Sequence, residues 1–105
     1  PPRLKVLTLG PEGALAFLGE GEVRVPGVRV RVVDTVGAGD TFTAGLLALL
    51  LRRGGGRGVL EGLDLEGLRE ALGAAVALSA LACTVRGAGL PEEGLAAWRA
   101  RWLAG

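Results

Sequence analysis

The stretch VDTVGAGDTF, residues 33–42, decides how the rest of the chain is interpreted. Gly37, Ala38 and Gly39 are small, so another molecule can approach their backbone closely. The apolar residues that follow predict a helix from about Ala38 to Arg53. The first amides of a helix lack internal hydrogen-bond partners, and the helix dipole adds partial positive charge there. The stretch therefore predicts an anion-binding site at a helix start.

Asp40 places a carboxylate in the first turn of this predicted helix. Two interpretations are open from the residues alone. The carboxylate either caps the helix or complements its dipole, or it acts as a base beside a bound phosphate. Phosphoryl transfer needs amides that stabilise the transferred group and a carboxylate that accepts the proton of the attacking hydroxyl.

Other phosphate-binding motifs fit the chain less well. No GxxxxGK[ST] segment is present, which argues against a Walker-type loop. Residues 37–42 read GxGxxF and lack the third glycine of a dinucleotide-binding turn. A dinucleotide-binding turn is also followed, about 20 positions on, by an acidic residue. The nearest candidate here, Glu61, follows a glycine run rather than a predicted strand.

The first third of the chain has the pattern of short strands joined by glycine turns. The turns are predicted at Gly10–Gly13 and Gly19–Glu22. The apolar or alternating runs between and after them predict strands at Leu4–Leu9, Ala14–Leu18, Val23–Pro26 and Val28–Val32.

Helices follow the strands. The first predicted helix is apolar on nearly every side, so we expect it to be largely buried, and Gly54–Gly58 is predicted to end it with a turn. Asp64 is placed to cap a second helix from Leu65 to about Ala82. A third helix starts at Pro91 and carries Trp98 and Trp102 as an apolar stripe. Strands followed by helices indicate an α/β domain.

Composition limits the classes of function. The net charge is +1 with scattered arginines, which argues against nucleic acid or an acidic membrane as a partner. A single cysteine excludes an internal disulfide, and the lack of histidine argues against a metal cluster, so a reducing, cytoplasmic setting is the default. The absence of Asn and Gln is typical of a thermophile source. The longest apolar helical stretch, residues 71–85, is too short for a membrane span.

The string DTVGAGDTF, residues 34–42, resembles the C-terminal signature DTxGAGDxF of the ribokinase (PfkB) family of carbohydrate kinases. Residues 8–14 resemble the TxGxxG nucleotide segment of that family, and further matching residues follow in the family's order. The resemblance implies that residues 1–105 are the C-terminal ATP-binding and catalytic portion of a ribokinase-like, three-layer α/β/α fold. The sugar-binding and lid portion would then lie upstream.

The resemblance also implies roles for individual residues. Asp40 matches the catalytic base, and the amides of Gly37, Ala38 and Gly39 match the anion hole for the transferred phosphoryl group. The expected ATP contacts are Thr8, Gly10, Gly13 and Gly39, with Ala75 beside adenine. From the residues of the TxGxxG segment alone, a plain β-turn is the preferred interpretation.

A monovalent-cation site, K⁺ in several members, is implied at Asp34 and the carbonyls of Val36, Ala82, Val85 and Gly87. Mg²⁺ would arrive with ATP. The implied activity is ATP-dependent phosphorylation of a sugar or sugar acid such as 2-keto-3-deoxygluconate, fructose or ribose. Further copies of the chain are the other expected partner. The alternative is a nucleotide-binding remnant or interaction module without catalysis.

Overall fold

The computed structural model describes residues 4–52, 62–87 and 89–103. In order, these residues form three strands and three α-helices: β1 (Leu4–Thr8), β2 (Ala14–Leu18), β3 (Gly21–Val25), α1 (Ala38–Arg52), α2 (Leu65–Ala82) and α3 (Glu92–Trp102). A single 3-10 turn, Gly10–Glu12, joins β1 to β2. The α/β class predicted from the sequence is confirmed.

The strands form one antiparallel sheet in the order β1-β2-β3. Val6 lies opposite Ala16, and Ala16 lies opposite Val23, so these three side chains share one face. Ala16 and Val23 are buried and belong to the same core as α2. The two short hairpins thus turn the alternating apolar residues toward α2.

The central helix of the domain is α2, which packs against β2, β3, α1 and α3. Its small residues let its neighbours approach closely, and Ala71, Ala74 and Ala75 have no exposed surface. The Asp64 side chain accepts a hydrogen bond from the Gly67 N–H at 2.7 Å, as the predicted N-cap requires.

The third helix is anchored to α2 by its tryptophans. Trp98 is buried, and its Nε1–H donates to the Ala74 carbonyl oxygen at 2.8 Å. Trp102 lies over Gly73, where a Cβ atom would come within 3.1 Å of the indole ring. The predicted apolar stripe on this helix is confirmed.

Two expectations about burial and pairing are wrong. Residues 28–32 form no strand, because no other described strand pairs with them, and Val28 and Val32 stay about half exposed. One side of α1 is open, since Leu47 and Leu51 are 50% and 57% exposed. The helix reaches Arg52, and Arg53 and the turn predicted at Gly54–Gly58 lie outside the described residues.

Candidate active site at the start of helix α1

The chain enters α1 through a turn that we call the GAG turn, residues 37–39. Gly37 has φ +80°, a left-handed conformation that favours glycine, and α1 begins at the next residue. Gly39 already lies in the helix and has no positive φ, and a Cβ atom built on it would meet no atom within 4 Å. Contacts among the described residues therefore do not explain why residue 39 is a glycine.

The amides of the GAG turn are not equivalent. The Ala38 N–H donates to the Thr35 carbonyl at 3.2 Å, so this amide is already used inside the loop. Among the described residues, the N–H groups of Gly37 and Gly39 have no hydrogen-bond partner. Of the three amides predicted to form an anion hole, two are thus open to a ligand and one is engaged.

Asp40 lies in the first turn of α1 and is exposed. Within the described part of the chain, its carboxylate makes neither a hydrogen bond nor an ion pair. It does not cap the helix by accepting from a backbone N–H of the described residues, and its position in the first turn remains compatible with complementing the helix dipole. The carboxylate is therefore free to accept a proton or a hydrogen bond from a ligand.

Asp34, six residues earlier, has the opposite environment. Its Oδ1 accepts from the Val36 N–H at 3.1 Å, and its Oδ2 accepts from the Gly87 N–H at 2.8 Å. The bond from Gly87, followed by that from Val36, lowers the pKa of this carboxyl group, although partial burial opposes the shift. Asp34 holds the loop against the segment that follows α2.

Backbone contacts reinforce this junction. The N–H groups of Val33 and Asp34 both donate to the Cys83 carbonyl, at 2.7 and 3.2 Å. Cys83 caps the C-terminus of α2 and directly follows Ala82. The structure thus brings the segment containing Asp34 and Val36 beside the segment containing Ala82, Val85 and Gly87, the five residues implied as cation ligands.

These residues are chemically suited to a monovalent cation. Each Asp34 oxygen accepts one backbone bond and retains capacity for a second partner. Val36 and Gly87 contribute only their N–H groups to those bonds, so the bonds leave both carbonyl oxygens unused. Oxygen donors of this kind suit a hard cation.

The turn between β1 and β2, residues 9–13, is explained by internal packing. Gly13 has φ +106°, and a Cβ atom there would collide with the backbone of Val25 and Pro26. Gly27 fits as tightly against Pro11. Gly10 has φ +59° and is open to solvent, while Thr8 is the exposed last residue of β1. Of the three expected ATP contacts in this region, Gly13 has a structural role that needs no ligand.

Ala75 lies in the interface between α1 and α2. It is completely buried, and a Cβ atom on Gly45 would lie 3.2 Å from its Cα. Ala75 therefore offers no surface to adenine in this structure, and we do not include it in the proposed nucleotide site.

Hydroxyl groups around the GAG turn were not predicted from the sequence. Thr41 Oγ1 donates to the Gly37 carbonyl at 2.7 Å, Thr43 Oγ1 donates to the Gly39 carbonyl at 3.2 Å, and Ser79 Oγ donates to the Ala38 carbonyl at 3.2 Å. The available signal was the position of Ser79, which is a polar residue in the alanine-rich second half of α2.

The described residues include no helix with the length and apolar character that crossing a bilayer requires.

Comparison with known proteins identifies the relatives of the chain. Residues 2–94 match the pfkB family carbohydrate kinases. The chain is 47% identical over 89 residues to the Arabidopsis thaliana protein named "Probable fructokinase-6, chloroplastic", covering 83% of this chain and 22% of that protein. It is 43% identical over 83 residues to the aminoimidazole riboside kinase of Salmonella typhimurium, covering 79% of this chain and 24% of the relative.

Solved structures agree with these matches. Aminoimidazole riboside kinase from Salmonella enterica, complexed with aminoimidazole riboside and an ATP analogue, superposes with a TM-score of 0.69 at 35% identity and covers 90% of this chain. A double mutant of Vibrio cholerae fructokinase with fructose, ADP and potassium ion bound gives a TM-score of 0.68 at 33% identity and covers 81%.

The chain spans 31% and 26% of those two solved chains, so it corresponds to a fragment of the ribokinase-like fold. The relatives that it resembles in sequence and in fold are named as a fructokinase and as aminoimidazole riboside kinases. The chain belongs to the pfkB family of carbohydrate kinases.

Proposed function

We propose that the chain is the C-terminal, ATP-binding and catalytic portion of a kinase that phosphorylates a hydroxyl group of a sugar or sugar acid. The observation that carries the proposal is the contrast at the GAG turn. Two backbone amides and the Asp40 carboxylate have no hydrogen-bond partner among the described residues, while Asp34 fixes the loop that bears them.

In this proposal the open N–H groups of Gly37 and Gly39 stabilise negative charge on the transferred phosphoryl group. The start of α1 adds the positive end of its dipole. Preorganised donors of this kind act without reorganising during the reaction, which is why a rigid loop matters more here than a mobile one. Asp34, held by Val36 and Gly87, supplies that rigidity.

Asp40 acts as the general base. The oxygens of a carboxylate that accepts backbone hydrogen bonds are less available to an attacking hydroxyl group. Asp40 has no such bonds in the described part of the chain, whereas Asp34 has two. Asp40 accepts the proton of the attacking hydroxyl, and that oxygen becomes bonded to phosphorus.

ATP, with Mg²⁺, would supply the phosphoryl group, and Thr8 and Gly10 are its proposed further contacts. Asp34 and the carbonyl groups of Val36, Ala82, Val85 and Gly87 would hold a monovalent cation such as K⁺. Support comes from the structural relatives, one complexed with an ATP analogue and another with ADP and potassium ion.

The acceptor is a small carbohydrate. Fructose leads the candidates because several relatives are named as fructokinases, and ribose and 2-keto-3-deoxygluconate follow. We place the residues that select among these sugars in the upstream part of the complete protein.

The test is Asp40→Asn in the protein expressed from the complete open reading frame. Loss of a general base lowers turnover by about 10²–10⁴-fold, while ATP binding, which does not use the Asp40 carboxylate, changes little. A coupled ADP-release assay over a sugar panel measures the first quantity, and titration calorimetry with an ATP analogue measures the second.

Glu66→Gln is the matched control, because Glu66 is also an exposed acid in the first turn of a helix. It should leave both quantities unchanged. Turnover by Asp40→Asn within threefold of wild type would remove Asp40 from the mechanism. Nucleotide binding without turnover of any sugar by the wild-type protein would favour the non-catalytic remnant.

A further inference from the structure

Hydroxyl groups bind the carbonyl oxygens of all three residues in the GAG turn. Thr41, Ser79 and Thr43 donate to Gly37, Ala38 and Gly39, respectively. The chain contains five threonines, one serine and no tyrosine. Three of these six hydroxyl groups therefore serve three successive peptide units.

A bond to a carbonyl also constrains an amide. The peptide unit is planar and trans, so the C=O bond of one residue and the N–H bond of the next lie in the same plane and point in opposite directions. The Ala38 carbonyl lies in the first turn of α1, and a second hydrogen bond to it from outside the helix further restricts the direction of the Gly39 N–H. That N–H is one of the two open donors of the turn.

Ser79 differs from the two threonines in its origin. Thr41 and Thr43 each reach back four residues within α1, a local bond that helices commonly make. Ser79 reaches from α2, 41 positions away in sequence. Its short side chain spans the gap because Gly45 of α1 lies against Ala75, one helical turn before Ser79.

Serine is also an unfavourable choice for the stability of this helix. The neighbouring residues Ala77, Ala80 and Ala82 are strong helix formers, and serine forms helices less readily than alanine. Among the described residues, the hydroxyl of Ser79 has one hydrogen-bond partner, the Ala38 carbonyl. The bond to the GAG turn is what distinguishes Ser79 from an alanine.

We infer that Ser79 is a positioning residue for phosphoryl transfer, which aims the Gly39 N–H by holding the Ala38 carbonyl. The inference rests on the proposed function of the GAG turn. Ser79 itself touches neither substrate nor the reacting atoms. Its contribution belongs to the transition state, so it should appear in kcat and leave ground-state binding almost unchanged.

The experiment compares Ser79→Ala and Ser79→Thr in the complete protein. Ser79→Ala should lower kcat about tenfold, less than the loss of a donor itself, because the amide is misdirected rather than removed. KM for ATP and for the sugar should stay within about twofold, and Tm should not fall, since alanine is the better helix former. Ser79→Thr keeps the hydroxyl and should recover kcat to within about threefold of wild type.

Thr43→Val is the matched control. It removes a hydroxyl bond of the same length to the next carbonyl, but one made within α1. We expect its kcat to stay within about twofold of wild type, because the N–H of that peptide unit belongs to Asp40, whose amide is not one of the two proposed phosphate donors.

The outcomes separate this inference from the proposed function. If Asp40→Asn abolishes turnover while Ser79→Ala keeps wild-type kcat, the positioning role is wrong and the proposed function stands. A lower Tm with unchanged kcat would assign Ser79 a purely structural role. If Asp40→Asn stays active, the proposed function fails first. Should Ser79→Ala not fold, Ser79→Cys, with its weaker donor, must reduce kcat relative to Ser79→Thr.

Discussion

Two glycine turns of this chain look alike in sequence and differ in what surrounds them. In the turn from Leu9 to Gly13, the backbone of Val25 and Pro26 fills the space beside Gly13. In the GAG turn, nothing lies within 4 Å of the position where Gly39 would carry a Cβ. The first turn is shaped by contacts within the chain, and the second leaves its smallest residue facing open space.

The difference separates structural glycines from those whose size serves a ligand. A glycine that already excludes a side chain through internal contacts needs no further explanation. A glycine in a helix lowers the stability of the folded chain relative to alanine, and at a position in open space no close packing compensates for that loss. We therefore assign ligand contact to Gly39 and a structural role to Gly13, and mutations can test the contrast.

The largest effect on stability should come from Gly13→Ala. The new methyl group would collide with backbone atoms, and alanine disfavours φ +106°. We expect a loss of about 3 kcal/mol or more in the free energy of unfolding, measured by urea denaturation.

Gly10→Ala is the control in the same turn, since Gly10 has φ +59° but no atom within 4 Å. It should cost only about 1–2 kcal/mol, the price of the left-handed backbone. Equal losses in the two variants would mean that the contact with Val25 does not matter.

A smaller and pH-dependent effect is expected at Asp34. Hydrogen bonds lower its pKa in the folded protein, so its contribution to stability is present above the usual Asp pKa of about 3.9 and is lost as pH falls through the lower, folded value. Asp34→Asn should lower Tm at pH 7, because the amide nitrogen of asparagine cannot accept a hydrogen bond.

The gap in Tm between wild type and Asp34→Asn should narrow when calorimetry is repeated at successive pH values below 4. Asp40→Asn is the control, since the described residues make no bond to its carboxylate that protonation could break. A gap of constant size from pH 7 to pH 3 would contradict the role given to the charged form of Asp34.

The smallest effect on stability should come from Gly39→Ala, which should not destabilise the chain and should raise the free energy of unfolding by up to about 1 kcal/mol, because alanine is the better helix former. Its methyl group meets no protein atom, yet it occupies the surface proposed to face phosphate. Affinity for ATP, measured by calorimetry, should therefore fall while the denaturation midpoint does not. Unchanged affinity would show that no ligand approaches Gly39 closely.

Much of the fold could be predicted because its signals are local. Strands β1 to β3, the Asp64 cap and the helix bounds follow from alternation, turn glycines and apolar spacing within a few residues. The strand predicted at residues 28–32 was wrong because alternation reports a two-sided environment and cannot supply a pairing partner. The exposure of Leu47 and Leu51 on α1 could not be predicted either, because an apolar residue does not show whether another element packs against it.

The site divides in the same way. A carboxylate and glycines at a helix start can be recognised from their order in the chain. The engagement of the Ala38 amide by Thr35, the burial of Ala75 and the bond from Ser79 could not, because each depends on tertiary geometry. Only the family resemblance gave Asp34 and Asp40 different expected roles. The difference between their environments is visible only in the folded chain.

The attachment of α3 also determines what the tryptophan fluorescence of this chain measures. Both tryptophans, Trp98 and Trp102, lie on α3 and face α2, and the chain has no tyrosine. Intrinsic fluorescence within these 105 residues therefore records whether α3 stays docked, since release would expose the indole of Trp98 to water. Loosening of the GAG turn would leave the emission unchanged, so an optical melting curve of this chain would describe the helix farthest along the sequence from its proposed chemistry.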